Sequence, residues 1–199
     1  MTIEFDDLNL SLAEKQQRAM ALIQEAFAQC TRPAVCCSSG VNSLVVLDLA
    51  RKIYRARLTV IHIETPLEPE NVRQYLDKMR KLWRYELIAV KSDTQPTAIV
   101  ESLLHVTQTN QLTQTNQLDL LLTGITASEA GDSPLTTAIL GLTAPRFLHP
   151  IRHFVTPDVW DYIKQHALPV CSLYRQTSAN ADRDDEAIIK QHLKKLGYF

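Results

Sequence analysis

Glycine is scarce in this chain: five residues in 199, at positions 40, 124, 131, 141 and 197. They form neither G-x-G-x-x-G nor G-x-x-x-x-G-K-[ST], which excludes a dinucleotide-binding turn and a Walker phosphate loop. Cysteine is sparser still. Cys30, Cys36, Cys37 and Cys171 make no C-x-x-C pair and no zinc spacing. With no signal-like leader, they read as reduced thiols in a cytoplasmic protein. Neither sign of charge dominates, since 21 Lys+Arg against 22 Asp+Glu leaves −1. No Lys/Arg-rich stripe runs along the sequence, so nucleic acid is not an expected partner. No apolar run approaches the length of a bilayer span, so a membrane is not expected either.

What is present suits one globular domain over residues 1–199, with 45% apolar and 22% charged residues and a length sufficient for an unstapled core. The chain is organised around residues 34–50. An apolar β-type run over 34–37 gives way to Ser38-Ser39-Gly40, and a helical apolar face begins at Leu44, with Asn42 or Ser43 placed to cap it. A strand, a tight Ser/Gly turn and a helix start gather backbone N–H groups and hydroxyls around one point. The helix dipole adds roughly half a positive charge there, so a phosphate or sulfate is the natural guest. Cys36 and Cys37, as strand neighbours, should point to opposite faces and not share a metal.

Upstream, Ser11-Leu12-Ala13-Glu14 has the form of a capping box, and Ala19, Leu22, Ile23, Ala26 and Phe27 follow at helical spacing. The helix after the loop ends in Arg51, Lys52 and Arg55. Residues 58–63 are the continuous β-branched run of a parallel strand buried on both faces. A further helix from Pro69 carries Val72, Tyr75, Leu76, Met79 and Leu82 as its stripe. Then come strands over 85–90 and 118–124, a short strand over 147–151, and short helices over 96–105 and 134–141. A helix entered at Thr156-Pro157 is expected to close at Leu168-Pro169, and an amphipathic helix covers 182–196. Residues 107–118 repeat Thr-Gln-Thr-Asn-Gln-Leu twice, read as a local duplication without functional weight. His149 and His153 would pair on a helix, but Pro150 between them argues against a metal site.

Strands alternating with helices imply an α/β fold, a doubly wound, mainly parallel sheet flanked by helices. Ligands of such sheets sit beyond the carboxyl ends of the strands. Residues 38–43, 64–68 and 124–132 leave those ends, and one pocket bounded by all three is the expectation.

The same segments resemble the phosphoadenosine phosphosulfate (PAPS) reductase family of the adenine nucleotide α-hydrolase-like superfamily. Ser38-Ser39-Gly40 resembles the S-[FS]-G variant of its pyrophosphate loop. Ile63-Glu64-Thr65-Pro66 with Glu68-Pro69-Glu70 resembles its L-D-T-G…F-P-E-T, and Leu122-Thr123-Gly124-Ile125-Thr126-Ala127-Ser128-Glu129 its G-[IL]-R-R-x-[EQ]. His149-Pro150-Ile151, Val159-Trp160-Asp161-Tyr162-Ile163, Leu168-Pro169 and Leu173-Tyr174 are similar to its final block. The resemblance implies an adenine nucleotide of PAPS, ATP or AMP type as ligand. Ser38, Ser39, Gly40, Asn42, Ser43, Glu64, Thr65, Gly124 and Thr126 would then surround the nucleotide and its phosphates.

Three departures bear on activity. Val41-Asn42 leaves no carboxylate for Mg²⁺ where ATP-cleaving relatives have one. Thr126-Ala127 replaces the paired arginines that would hold phosphate or sulfate. The reductase's Glu-Cys-Gly-[Leu/Ile]-His tail is absent, and no cysteine follows Cys171, which reads as a buried small hydrophobe. The expectation is therefore a nucleotide-binding protein without reductase activity on its own, with no catalytic residue and no metal assigned. One alternative is an assembly protein that keeps the fold for a homodimer or protein partner. The other is an active sulfonucleotide reductase or ATP-dependent transferase with a relocated catalytic group.

Overall fold

Residues that alternate across a strand supply both faces of a sheet at once, and here both faces are apolar. In the computed structural model, which describes residues 9–54, 56–66, 68–93, 98, 101, 118–126 and 146–174, the strands are β1 (Pro33–Cys36), β2 (Thr59–Glu64), β3 (Glu86–Lys91), β4 (Leu120–Leu122) and β5 (Arg146–Leu148). They form one all-parallel sheet in the order β3-β2-β1-β4-β5. Val35 lies between Val60 and Leu122 in register. All three enter the core on one face, while Ala34, Ile61 and Leu121 enter a second core on the other.

Helices α1 (Leu12–Ala28), α2 (Val41–Ile53), α3 (Glu70–Trp83) and α4 (Thr156–Gln165) add their apolar stripes to the first of these cores. The capping box that starts α1 is formed: the Glu14 N–H donates to Ser11 Oγ, and the Ser11 N–H donates to Glu14 Oε2 at 2.8 Å. Among the described residues no helix is long and apolar enough to cross a membrane.

The innermost helix is α2, buried continuously from Ser43 to Ala50. That span includes Asp48, whose carboxylate accepts from Tyr162 Oη of α4 at 2.8 Å and pairs with Lys52 Nζ at 2.7 Å. Arg51 Nε donates to its other oxygen at 2.8 Å. Burial alone would raise the Asp48 pKa, but the hydrogen bonds from Lys52 and Tyr162 and the nearby cations outweigh it, and the carboxyl is held below its usual range. The same burial, followed by the Asp48 charge, pushes the Tyr162 phenol up. This cluster fixes α4 across α2.

The last two strands are Leu120–Leu122 and Arg146–Leu148, against the expected 118–124 and 147–151, and two helix ends also differ from the sequence expectation. Helix α2 starts at Val41, not Leu44, and its cap is Gly40, with no side-chain cap from Asn42 or Ser43. Gly40 holds the extended ψ that an N-cap needs, while Ser43, already inside the first turn, donates its hydroxyl back to Gly40 O at 2.9 Å. Helix α4 stops at Gln165 rather than at Leu168-Pro169. Ala167 takes a left-handed φ of 47°, and the Leu168 N–H returns to Ile163 O at 3.0 Å, so a backbone turn ends the helix before the proline is reached. The helices expected over 134–141 and 182–196 lie outside the described residues. So do that over 96–105, apart from Ala98 and Glu101, and the tandem repeat, apart from Leu118.

Tyr162→Phe removes a buried hydrogen bond to an ionised carboxylate and should cost about 1.5–3 kcal/mol, read as a lower urea midpoint at unchanged slope. Because the folded pKa of Asp48 is depressed, its stabilisation is present above the ordinary carboxylate value near 4. It should fade as pH falls below that value.

Candidate functional site

The strand order reverses between β1 and β4: the chain leaves β1 toward β2 on one side, and β4 lies on the other. A crevice outside the carboxyl ends of β1 and β4 is where an open parallel sheet accepts ligands. Two backbone segments meet there with no side chain between them. A Cβ built on Gly124 would lie 2.7 Å from both the Asn42 carbonyl carbon and the Ser43 nitrogen. The end of β4 therefore rests on the first turn of α2, and only glycine permits it. This is the close approach expected of Gly124.

The loop before α2 is shaped by Ser39, buried and in the left-handed conformation at φ 65°. A non-glycine residue there costs on the order of 1 kcal/mol and is held by its surroundings. Its N–H donates to the Cys37 thiol. Ser38 is exposed beside it, and Ser43 Oγ lies 3.5 Å from Ser38 Oγ and 3.7 Å from Cys37 Sγ. The first N–H groups of α2 have no acceptor inside the helix and face the loop with the positive end of the dipole. Tyr174 closes one side: its hydroxyl lies 3.5 Å from where a Cβ on Gly40 would sit.

Past β4, Thr126 is buried, and Thr123 Oγ1 lies 2.6 Å from His149 Nδ1 at the end of β5. Burial first, then the charge of Arg152, lowers the His149 pKa from 6.5 to about 4. The imidazole is therefore neutral at pH 7, a polar group and not a cation. His153 instead bonds the Lys15 carbonyl at 2.9 Å, so the two histidines have separate partners. Among the described residues no cluster of His, Cys, Asp or Glu could hold a metal ion.

Glu64 ends β2 with its carboxylate paired to Arg73 of α3, and Thr65 is buried just beyond it. The polar feature that sequence reasoning missed lies one layer below. His62, buried within β2, donates from Nδ1 to Cys37 O at 2.8 Å, and its Nε2 lies 2.6 Å from Glu68 Oε2. It ties the carbonyl just before the Ser38-Ser39-Gly40 turn to the loop that follows β2. The signal was present: a histidine inside a strand buried on both faces must find partners for both ring nitrogens.

Cys37 and Cys171 are buried, while Cys30 and Cys36 are partly so. Burial, then the neighbouring Cys37, pushes the Cys36 thiol up to about 12, and burial raises Cys37 too. Cys36 and Cys37 enter opposite cores, and Cys171 is fully buried.

A parallel α/β sheet with an anion-shaped turn at its switch point defines a class of nucleotide-binding fold, and the comparisons with known proteins narrow it. The model of the phosphoadenosine phosphosulfate reductase domain matches residues 32–180, and the chain belongs to that family. No curated protein sequence matches it. Among solved structures, the phosphoadenylyl-sulfate reductase from Candida auris, in a phosphate complex, is similar at 14% identity and TM-score 0.59, over 87% of this chain and 92% of that one. The FMN adenylyltransferase from Candida glabrata, with FAD and inorganic pyrophosphate, is similar at 18% identity and TM-score 0.59, over 88% of this chain and 64% of that one. The NMN synthetase from Francisella tularensis is similar at 14% identity and TM-score 0.56, over 80% and 72%. At these identities the likeness is one of fold.

Two measurements check this geometry. Gly124→Ala must push β4 and α2 apart and should cost about 1–3 kcal/mol in denaturant unfolding. The depressed His149 pKa means that the unfolded chain takes up the proton first as pH falls. Stability is therefore full above about 6.5 and declines toward the folded value of about 4. His149→Gln should flatten the melting profile over that window by roughly 1–2 kcal/mol, allowing for screening of a partly exposed ring.

Proposed function

We propose that the chain binds an adenine nucleotide or sulfonucleotide at the switch point and does not reduce a sulfonate with a thiol of its own. The observation that carries the reading is the bare backbone contact between Gly124 and the first turn of α2. It leaves the helix start and the Ser38-Ser39-Gly40 turn as an anion cradle. Phosphates lie against Ser38, Ser39, Gly40, Asn42 and Ser43, with Gly124 and Thr126 on the far wall and Glu64 and Thr65 toward the sugar. Family membership supports a nucleotide, as does the company of structures holding phosphate or FAD with pyrophosphate. Thr126 and the neutral His149 offer hydrogen bonds, which suits a ligand less densely charged there than one clamped by paired arginines. A thiol attack on sulfur needs an accessible thiolate. Cys36 and Cys37 have raised pKa values, and Cys171 is buried.

Thermal scans with AMP, ATP, PAPS and adenosine 3′,5′-bisphosphate test the binding. A ligand at 100 times its dissociation constant adds about 2.7 kcal/mol, or about 5–10 °C for a chain of this size. Gly40→Val, whose side chain must share space with Ser38 Oγ and Tyr174, should lose that response while still melting cooperatively. No shift with any of the four at millimolar concentration would favour an assembly role. Sulfite release from PAPS with thioredoxin and a thiol reductant should be absent. Turnover that disappears in Cys171→Ser would instead make this a reductase with a relocated nucleophile.

A further inference from the structure

The opposite end of the molecule carries a second cleft, unrelated to the switch point. Helices α2 and α3 both follow parallel strands, so their carboxyl ends come together near the starts of β2 and β3. Between them is a cleft of about 850 Å³. Its floor is apolar and buried: Leu47, Leu58 and Tyr85. Its walls hold Arg51, Arg57, Arg80, Lys81 and Arg84 with Trp83, and among the described residues no Asp or Glu lines it. Spread over positions 51–84, these cations form no stripe in the sequence, and only the fold collects them.

Charge balance separates a site from ordinary helix-end cations. Arg51 is matched by Asp48 and stacks 4.2 Å over the Trp83 ring, and Arg80 lies 3.5 Å from Asp77. Among the described residues, Arg57, Lys81 and Arg84 have no ion-pair partner. Two helix carboxyl ends contribute about half a negative charge each, which leaves an excess of about two positive charges. That matches a phosphate ester, at about −1.5 to −2 near neutral pH. Guanidinium forks suit phosphate oxygens, the volume suits a small molecule, and the apolar floor suits a flat body attached to the phosphate. We infer that this basic cleft is a second ligand site, taking a phosphorylated small molecule of about nucleotide size through Arg57, Lys81 and Arg84.

The test keeps the two sites apart. In Ser38→Glu, a new carboxylate on the exposed anion loop repels phosphate at the switch point. Calorimetric titration of that variant with inorganic pyrophosphate should show one equivalent bound, weakening as salt rises. Adding Arg57→Gln, Lys81→Gln and Arg84→Asn should weaken it by about tenfold or more at an unchanged melting midpoint. Asparagine is chosen at position 84 because φ is 55° there. In the unaltered protein, pyrophosphate should shift the backbone amide resonances of residues 51–58 and 80–85, and phenyl phosphate should bind more tightly than inorganic phosphate. The inference is overturned if Ser38→Glu binds no pyrophosphate at millimolar concentration or the triple change leaves binding intact. It is equally overturned if amide shifts stay within residues 38–43. An oligonucleotide or acidic peptide that holds the cleft against a hundredfold excess of pyrophosphate would assign it to a macromolecule instead.

Discussion

The first turn of α2 lies against the end of β4 with no side chain between them, and the geometry of the switch point depends on that contact. Gly124 is what allows it, because a single Cβ would overlap the backbone of Asn42 and Ser43. The contact sets the helix start beside the crevice, which in turn sets where the Ser38-Ser39-Gly40 turn must go. Ser39 pays with a left-handed φ, and the turn is braced from below by the His62 bond to Cys37 O. Backbone, not charged side chains, therefore shapes the turn, and the proposed anion would be met there by N–H groups.

Helix α2 also links the two ends of the molecule. Its amino end meets the crevice and its carboxyl end meets the basic cleft, while its middle carries Asp48 in a cage of Arg51, Lys52 and Tyr162. The dipole gives the ends opposite electrostatic character, positive at the crevice and negative at the cleft, where cations gather in excess of what the helix ends require. The fully buried carboxylate joins α2 to α4 through its bond from Tyr162.

The fold was legible in the sequence because its signals are local. Short continuous apolar and β-branched runs marked the five strands to within a few residues, and a capping box marked α1. The small-residue turn before Leu44 and the glycine after 118–122 marked the switch point, and the family motifs sat on the same segments. Boundaries were less legible. Asn42 and Ser43 have the side chains of caps, yet Gly40 caps α2, and Ser43 lies inside the first turn with its hydroxyl on the Gly40 carbonyl. Ala167 in a left-handed turn, and not Pro169, ends α4.

What the sequence by itself determined is the order of strands and helices, the capping box of α1 and the place of the Ser38-Ser39-Gly40 turn between β1 and α2, since each is written in neighbouring residues. Tertiary structure alone decided which distant groups meet. His62 found Glu68 across a loop, Asp48 found Tyr162 over 114 positions, and Thr123 found His149. It also gathered into one cleft the cations from 51 to 84 that are dispersed along a nearly neutral chain. The reason is physical: periodicity reports which face a residue takes, but a hydrogen bond or a local charge excess depends on which faces the topology brings together.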